Sequence, residues 1–147
     1  MKALVDASAL LLLVKHAEPT KLAEIASDLT TLDLATYEGG NAIWKQVRLL
    51  KLIDEKEAGS AHEAFIGLLS HTSMLRGEDL ERSKAMDLAV KKGMAYYDAC
   101  YVTAAQSLEL PLATEDRKLA GSMVGRRVVG WKQLLGDESD LNDSRES

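Results

Sequence analysis

Tyr96-Tyr97-Asp98-Ala99-Cys100-Tyr101, running on to Leu112-Ala113-Thr114-Glu115-Asp116, is the stretch whose reading decides the fold. Apolar or small residues at positions 97, 100, 101, 104, 105 and 108 follow the i, i+3, i+4, i+7 spacing of a helix with one face on a core. Asp98 lies beside that stripe near the helix start. There an acid is stabilised by unpaired amides and the positive end of the dipole, by roughly 0.3–1 kcal/mol, so a good helix start is reason enough for an aspartate. Leu110 to Thr114 reads as a short buried strand, with Pro111 tolerated at its entry because a first residue need not donate to the ladder. Asp116 follows the strand's C-terminal end, where ligands sit in open parallel sheets.

Working outward, Ala3-Leu4-Val5 is a strand candidate ending at Asp6-Ala7-Ser8, with Ser8 placed to cap a helix from Leu10 to Val14. Pro19-Thr20 opens a second helix with Thr20 as its cap, and Leu32 and Leu34 alternate with Thr31 and Asp33 as in a strand. Thr36 to Asn41 leads into a helix with Ile43, Val47 and Leu50 on one face. Glu38 and Asn41 share a face if the helix has begun by Glu38. Gly39-Gly40 costs about 1 kcal/mol per glycine relative to alanine, unless another backbone or a ligand must come close. Ser60-Ala61-His62-Glu63 has the pattern of a capping box opening a helix from Ala64 to Leu69. A further helix runs from Glu78 to Lys92 with Gly93 placed to end it, and Arg126 to Trp131 reads as a final strand. Strands and helices alternate, which predicts an α/β/α sandwich of three layers around a mainly parallel sheet.

The chain has 147 residues and a formal charge of −5, of which the tail from Asp137 to Ser147 carries −4. The expected organisation is one domain over residues 1–135, followed by an acidic, disordered tail over 136–147. The body is nearly neutral, so it neither announces nor excludes nucleic acid. Cys100 is the single cysteine, which excludes an intrachain disulfide and a cysteine-based zinc site and places the protein by default in the cytoplasm. The apolar run from Ala3 to Val14 is broken by Asp6 and too short to cross a membrane. No signal peptide is expected either, since Lys15-His16 stands where small cleavage-site residues belong.

Asp6 and Asp116 each follow a strand, while Glu38 and Asp98 each sit at a helix start, so the four can meet on one rim of the sheet. Gathered carboxylates repel unless a divalent cation or shared protons offset the charge. Oxygen-only ligands point to Mg2+ or Mn2+. The competing explanation is that these are four of 23 acids, most of them solvated. Other chemistries find less support: no Gly-Lys-Ser/Thr follows Gly39-Gly40, the position four after His62 is Ile66 rather than histidine, and no Ser-His-Asp set or Cys-His pair is evident. His16, His62 and His71 read as surface or capping residues. A phosphoacceptor receiver domain would want a second acid beside Asp6, which is missing.

Val5-Asp6-Ala7-Ser8, Glu38 with Asn41, Tyr97-Asp98-Ala99 with Tyr101-Val102 and Ala104-Ala105, and Thr114-Glu115-Asp116 with Leu119 together resemble the PIN-domain ribonucleases, and within them the short toxins of VapC type. The resemblance runs to about Leu135. It implies a metal-dependent endoribonuclease that cuts RNA, the toxin of a toxin–antitoxin pair, in which Asp6, Glu38, Asp98 and Asp116 bind Mg2+ or Mn2+ and carry catalysis. Ser8, Asn41 and Thr114 match the polar positions behind the acids. Lys45, Arg48, Arg117 and Lys118 are candidates to hold phosphates, against the alternative that they are solvated helix charges. The departures are Gly39-Gly40 after the glutamate and Glu115 beside Asp116, which leaves two acids in contention for the last ligand. A homodimer and a protein antitoxin are the implied partners, with no membrane. The alternative function is a PIN-like domain without nuclease activity, acting as a scaffold or partner-regulated binding module.

Overall fold

The computed structural model describes residues 1–123 and 127–136. The chain begins with strand β1, Ala3–Val5, then helix α1, Ala7–His16, and α2, Pro19–Ile25. Strand β2, Leu29–Leu32, leads to α3, Leu34–Arg48, and α4, Glu55–Ser70. Strand β3, Ser73–Leu75, is followed by α5, Arg82–Lys92, and α6, Tyr96–Leu108. Strand β4, Leu112–Ala113, α7, Arg117–Gly121, β5, Val128–Val129, and α8, Trp131–Leu134, complete the described chain.

The strands form one sheet in the order β3-β2-β1-β4-β5, and every pairing is parallel. A parallel sheet needs helices on both faces, and strand alternation supplies the two faces. Ala3, Val5, Leu29, Ala113 and Val129 pack with Leu10 and Leu13 of α1, Ile43 of α3, Phe65, Leu68 and Leu69 of α4 and Leu134 of α8. Leu4, Leu32 and Leu112 point to the opposite layer, against Ala85 and Ala89 of α5, the buried run of α6 and Leu119 of α7. The expected three-layer α/β/α sandwich is therefore the observed one.

Two glycines in α3 decide how that layer closes. Gly39 is buried, and a Cβ there would fall inside the Phe65 ring of α4, whereas a Cβ at Gly40 would meet nothing within 4 Å. Close approach, not a break in the helix, explains the first glycine.

Local details differ from the sequence reading, each for a physical reason. Asp6, not Ser8, caps α1. Pro19 sits at the first position of α2 with Glu18 before it, so Thr20 is inside the helix rather than its cap. Leu34 opens α3 instead of extending β2, and α3 ends before Leu50, which is exposed. The capping box belongs to Asp54 and Glu57, which start α4 one and a half turns earlier than Ser60. The residues from Gly77 to Asp79 form a short 3-10 turn, and α5 begins only at Arg82, although Gly93 does end it in the left-handed conformation, φ 65°. The final strand is confined to Val128–Val129, Trp131 opens α8, and Arg126 lies outside the described residues. So does the acidic tail from residue 137 onward. His16, His62 and His71 are exposed as expected, with His16 stacked on Trp131 at 4.9 Å.

Candidate active site

The chain leaves β1 toward β2 and β3 on one side and reaches β4 and β5 on the other. The switch point lies between β1 and β4, where parallel strands that diverge in connectivity leave a crevice at their C-terminal ends. Asp6 follows β1 and Asp116 follows β4 by three residues, so these two acids flank it. Asp6 N–H donates to Ala113 C=O at 3.0 Å, which ties the strand ends together.

Asp6 is 5% exposed. Its carboxylate accepts from Ala9 N–H at 3.0 Å, from the Ser8 hydroxyl at 2.6 Å, and on the other oxygen from the Thr114 hydroxyl. Burial pushes this carboxyl above the usual aspartate range, those hydrogen bonds pull it back, and the charge of Asp116 pushes it further up. Thr114 Oγ1 in turn accepts from Asp116 N–H at 3.0 Å. Asp116 Oδ1 caps α7, accepting from Lys118 N–H at 2.9 Å and Leu119 N–H at 3.1 Å. A continuous hydrogen-bonded line, Ser8 to Asp6 to Thr114 to Asp116, thus crosses the switch point.

Glu38 comes from the second turn of α3 and is half-buried. Its Oε1 accepts from the Tyr101 hydroxyl at 2.8 Å. Burial raises its pKa, the Tyr101 hydrogen bond lowers it, and the charges of Asp6, Asp98 and Asp116 each raise it. Asp98 stands in the first turn of α6. It is raised by burial and by Asp116, with Lys118 acting in the opposite direction. The four acids therefore share one field. None of them has a cation in salt-bridge contact among the described residues.

The side chains as placed do not close into a cage, because no three acidic, histidine or cysteine groups among the described residues are gathered tightly enough to hold an ion. The donor chemistry nevertheless fits a hard divalent cation. Asp116 Oδ2, Glu38 Oε2 and both oxygens of Asp98 take no hydrogen bond among the described residues.

The remaining candidates separate by position. Ser8 and Thr114 both touch Asp6. Asn41 lies one turn from Glu38 on α3, exposed and with no side-chain hydrogen bond among the described residues. Lys45 is two turns from Glu38, about 10 Å along the helix, and Arg48 lies beyond it. Arg117 and Lys118 are exposed at the start of α7, and Lys118 is close enough to act on Asp98. Glu115 is directed elsewhere: its Oε1 accepts from Trp131 N–H at 2.8 Å at the start of α8.

Two residues escaped the sequence reading. Tyr101 was read as part of the buried stripe and of the motif that carries the resemblance, with no role for its hydroxyl, although a buried tyrosine hydroxyl needs a partner and that need is itself a signal. Thr31 is fully buried and donates to Val5 C=O at 2.6 Å, holding the strand end that precedes Asp6. A threonine between Thr30 and Leu32 in β2 gives no sign of this.

A five-stranded, all-parallel sheet between two layers of helices is the architecture of a PIN domain, and solved structures share this fold. The crystal structure of PAE2754 from Pyrobaculum aerophilum superposes with a TM-score of 0.75 at 34% identity, over 92% of this chain and 93% of that one. VapBC-1 from nontypeable Haemophilus influenzae, at 15% identity, has the same fold with a TM-score of 0.56, over 90% of this chain and 99% of that one. No family model matches the chain. In sequence, it is 38% identical over 122 residues to Exonuclease VapC9 of Pyrobaculum aerophilum, covering 83% of this chain and 86% of the relative. Ribonuclease VapC3 of the same organism is 37% identical over 124 residues, covering 82% and 93%. The chain belongs to the VapC family.

Proposed function

We propose that this VapC-family nuclease is a divalent-metal-dependent endoribonuclease, the toxin of a toxin–antitoxin pair. The observation that carries the reading is that four acids from four separate elements line the rim at the switch point, where neighbouring carboxylates add to the effect of burial on Asp6, Glu38 and Asp98 and no cation among the described residues is in salt-bridge contact with any of the four.

Asp6, Glu38, Asp98 and Asp116 are the residues that would hold Mg2+ or Mn2+. When bound, such an ion supplies an activated water and takes up charge on the phosphate. The chain's own residues set up that chemistry. Ser8 and Thr114 fix both oxygens of Asp6 and the α7 amides fix one oxygen of Asp116, so these two acids keep a defined direction. Lys118 and Arg117, exposed at the start of α7, are placed to meet a phosphate, while Lys45 and Arg48 extend positive charge along α3. Cys100 does not compete as a nucleophile, since it is buried and burial pushes its thiol pKa up, away from the reactive thiolate.

Of the two relatives' names, one states an exonuclease and the other a ribonuclease, so only the first specifies a mode of attack, and it is not the endonucleolytic one proposed here. A circular single-stranded RNA separates the modes, since it has no ends. Linearisation with Mn2+ and none in EDTA is the expected result. An enzyme that degrades linear but never circular RNA, or one indifferent to EDTA, would overturn the endonuclease or the metal assignment respectively.

Partner binding is part of the same proposal. Trp44, Leu49, Leu50 and Leu52 at the end of α3, and Met86 and Val90 on α5, are large apolar side chains left exposed. They support a homodimer and an antitoxin-covered surface. The buried free thiol fits a cytoplasmic setting, and no helix among the described residues is long and apolar enough to cross a membrane. A strictly monomeric chain by light scattering at tens of micromolar would remove the dimer.

A further inference from the structure

Tyr101 is 1% exposed and heads the fully buried side chains by size. A ring of that size would pack equally well as phenylalanine, so the hydroxyl requires its own explanation. It lies on α6, three residues after Asp98 and hence on the same side of the helix. Its O–H donates to Glu38 Oε1 at 2.8 Å, across the layers to α3. The backbone amide of Ala7, next to Asp6, acts electrostatically on the same phenol. One side chain therefore sits on the helix carrying Asp98 and hydrogen-bonds the helix carrying Glu38.

We propose that Tyr101 is a positioning residue for the site: its hydroxyl occupies Oε1 of Glu38, leaves Oε2 as the free donor, and locks the direction of that carboxylate to the helix that carries Asp98. The inference rests on the metal-dependent nuclease reading. A carboxylate on a half-buried helix face has several rotamers open to it, and a buried donor from a neighbouring element selects one. Groups that hold a metal ligand in this way typically change metal affinity by 10–100-fold when removed. Tyr101 differs from Ser8 and Thr114 in reaching a ligand from another helix rather than from the strand ends.

The test removes one oxygen. Tyr101→Phe in the full chain should raise the Mn2+ dissociation constant by about tenfold or more in calorimetry, and lower kcat for RNA while leaving KM nearly unchanged. The same substitution in a Glu38→Ala background should have no further effect on Mn2+ affinity, because the group it positions is gone. A merely structural tyrosine would shift both backgrounds alike, and that result would overturn the proposal. If the wild type binds Mn2+ and Tyr101→Phe binds it as tightly, the positioning role fails while the nuclease reading stands. If the wild type binds no Mn2+, both fail. Should Tyr101→Phe not fold, metal-free NMR decides: a protected Tyr101 hydroxyl proton in the wild type, lost in Glu38→Ala, supports the contact. A hydroxyl signal unmoved by Glu38→Ala overturns it.

Discussion

The acids on the outer helices and the acids on the sheet rim are the same residue types in opposite circumstances. On the outside, Glu81 meets Lys84 at 2.7 Å, Asp87 meets Lys91 at 3.0 Å and Glu24 meets Lys21 at 3.4 Å, each pair three or four residues apart on one helix or at its start. On the rim, Asp6, Glu38 and Asp98 are held partly out of water beside one another, with their pKa values pushed up by burial first and by neighbouring carboxylates after it. A fold selected only for stability would not gather charge this way, because each lysine that neutralises an outer acid could have been placed here too. The proposed metal site would account for the contrast, with the outer acids solvated and the inner ones kept for a ligand.

The largest effect that can break this contrast is on activity. Removing a group that only supports a metal ligand typically costs 10–100-fold, so Asp98→Asn, which removes a ligand charge at nearly constant shape, should lower RNA cleavage by more than about a hundredfold. Its circular dichroism should remain that of the wild type. Cleavage within a few-fold of wild type would remove Asp98 from the site.

Next in size is the packing that brings Glu38 to the rim. Gly39 has no room for a methyl group against Phe65, which is fully buried and cannot swing away, whereas Gly40 faces open space. Gly39→Ala should cost about 1–3 kcal/mol by overpacking, and Gly40→Ala should gain up to about 1 kcal/mol from helix propensity. Equal melting shifts for the two would mean that α3 does not depend on this close approach.

How much of this was readable beforehand depended on whether a residue's role was local. The α/β alternation, the strand at Ala3–Val5 and the helix from Tyr96 showed themselves through spacing, and Asp6, Asp98 and Asp116 stand after a strand or at a helix start as expected, whereas Glu38 lies in the second turn of α3 rather than at its start. Strand β3 did not, because Ser73, Met74 and Leu75 form a short edge with little burial and hence no apolar run. Tyr97 and Leu108 were expected in the buried stripe of α6 and are 60% and 41% exposed. The helix is instead buried continuously from Ala99 to Ala105, since small side chains let it sit close to the sheet and erase the usual periodicity. The Tyr101–Glu38 and Thr31–Val5 contacts span 63 and 26 residues, and no window of sequence contains them.

A smaller effect concerns stability without metal. Folded-state pKa values above the ordinary 3.8 for aspartate and 4.5 for glutamate mean that the folded chain holds more protons. The contribution of these groups is therefore harmless below those values and becomes a penalty as pH rises through and above them. In EDTA at neutral pH, Asp98→Asn should melt on the order of one to a few °C above the wild type, and the advantage should vanish below pH 3.8. Asp6→Asn should gain less, because both Asp6 oxygens accept hydrogen bonds and the Ser8 and Thr114 hydroxyls already accept from the Glu115 and Asp116 amides. With Mn2+ at 100 times its Kd, about 2.7 kcal/mol is added to the wild type, and Asp98→Asn should receive less. A wild-type melting curve indifferent to Mn2+ would dissolve the contrast between the two sets of acids.

The smallest expected effect comes from the outer set and serves as the other side of the comparison. Lys91→Ala breaks the pair with Asp87, whose side chains are 70% and 61% exposed. Water screens such a pair, and fixing two flexible side chains offsets much of the attraction, so exposed helix pairs contribute only about 0.3–0.5 kcal/mol. The acid left behind is solvated and needs no replacement partner. Melting should therefore barely move, the Mn2+-induced shift should equal that of the wild type, and added salt should shrink even the small difference. A loss in Lys91→Ala as large as that from Gly39→Ala, or a changed response to Mn2+, would show that outer charges are coupled to the rim and that local pairing is not what separates the two groups of acids.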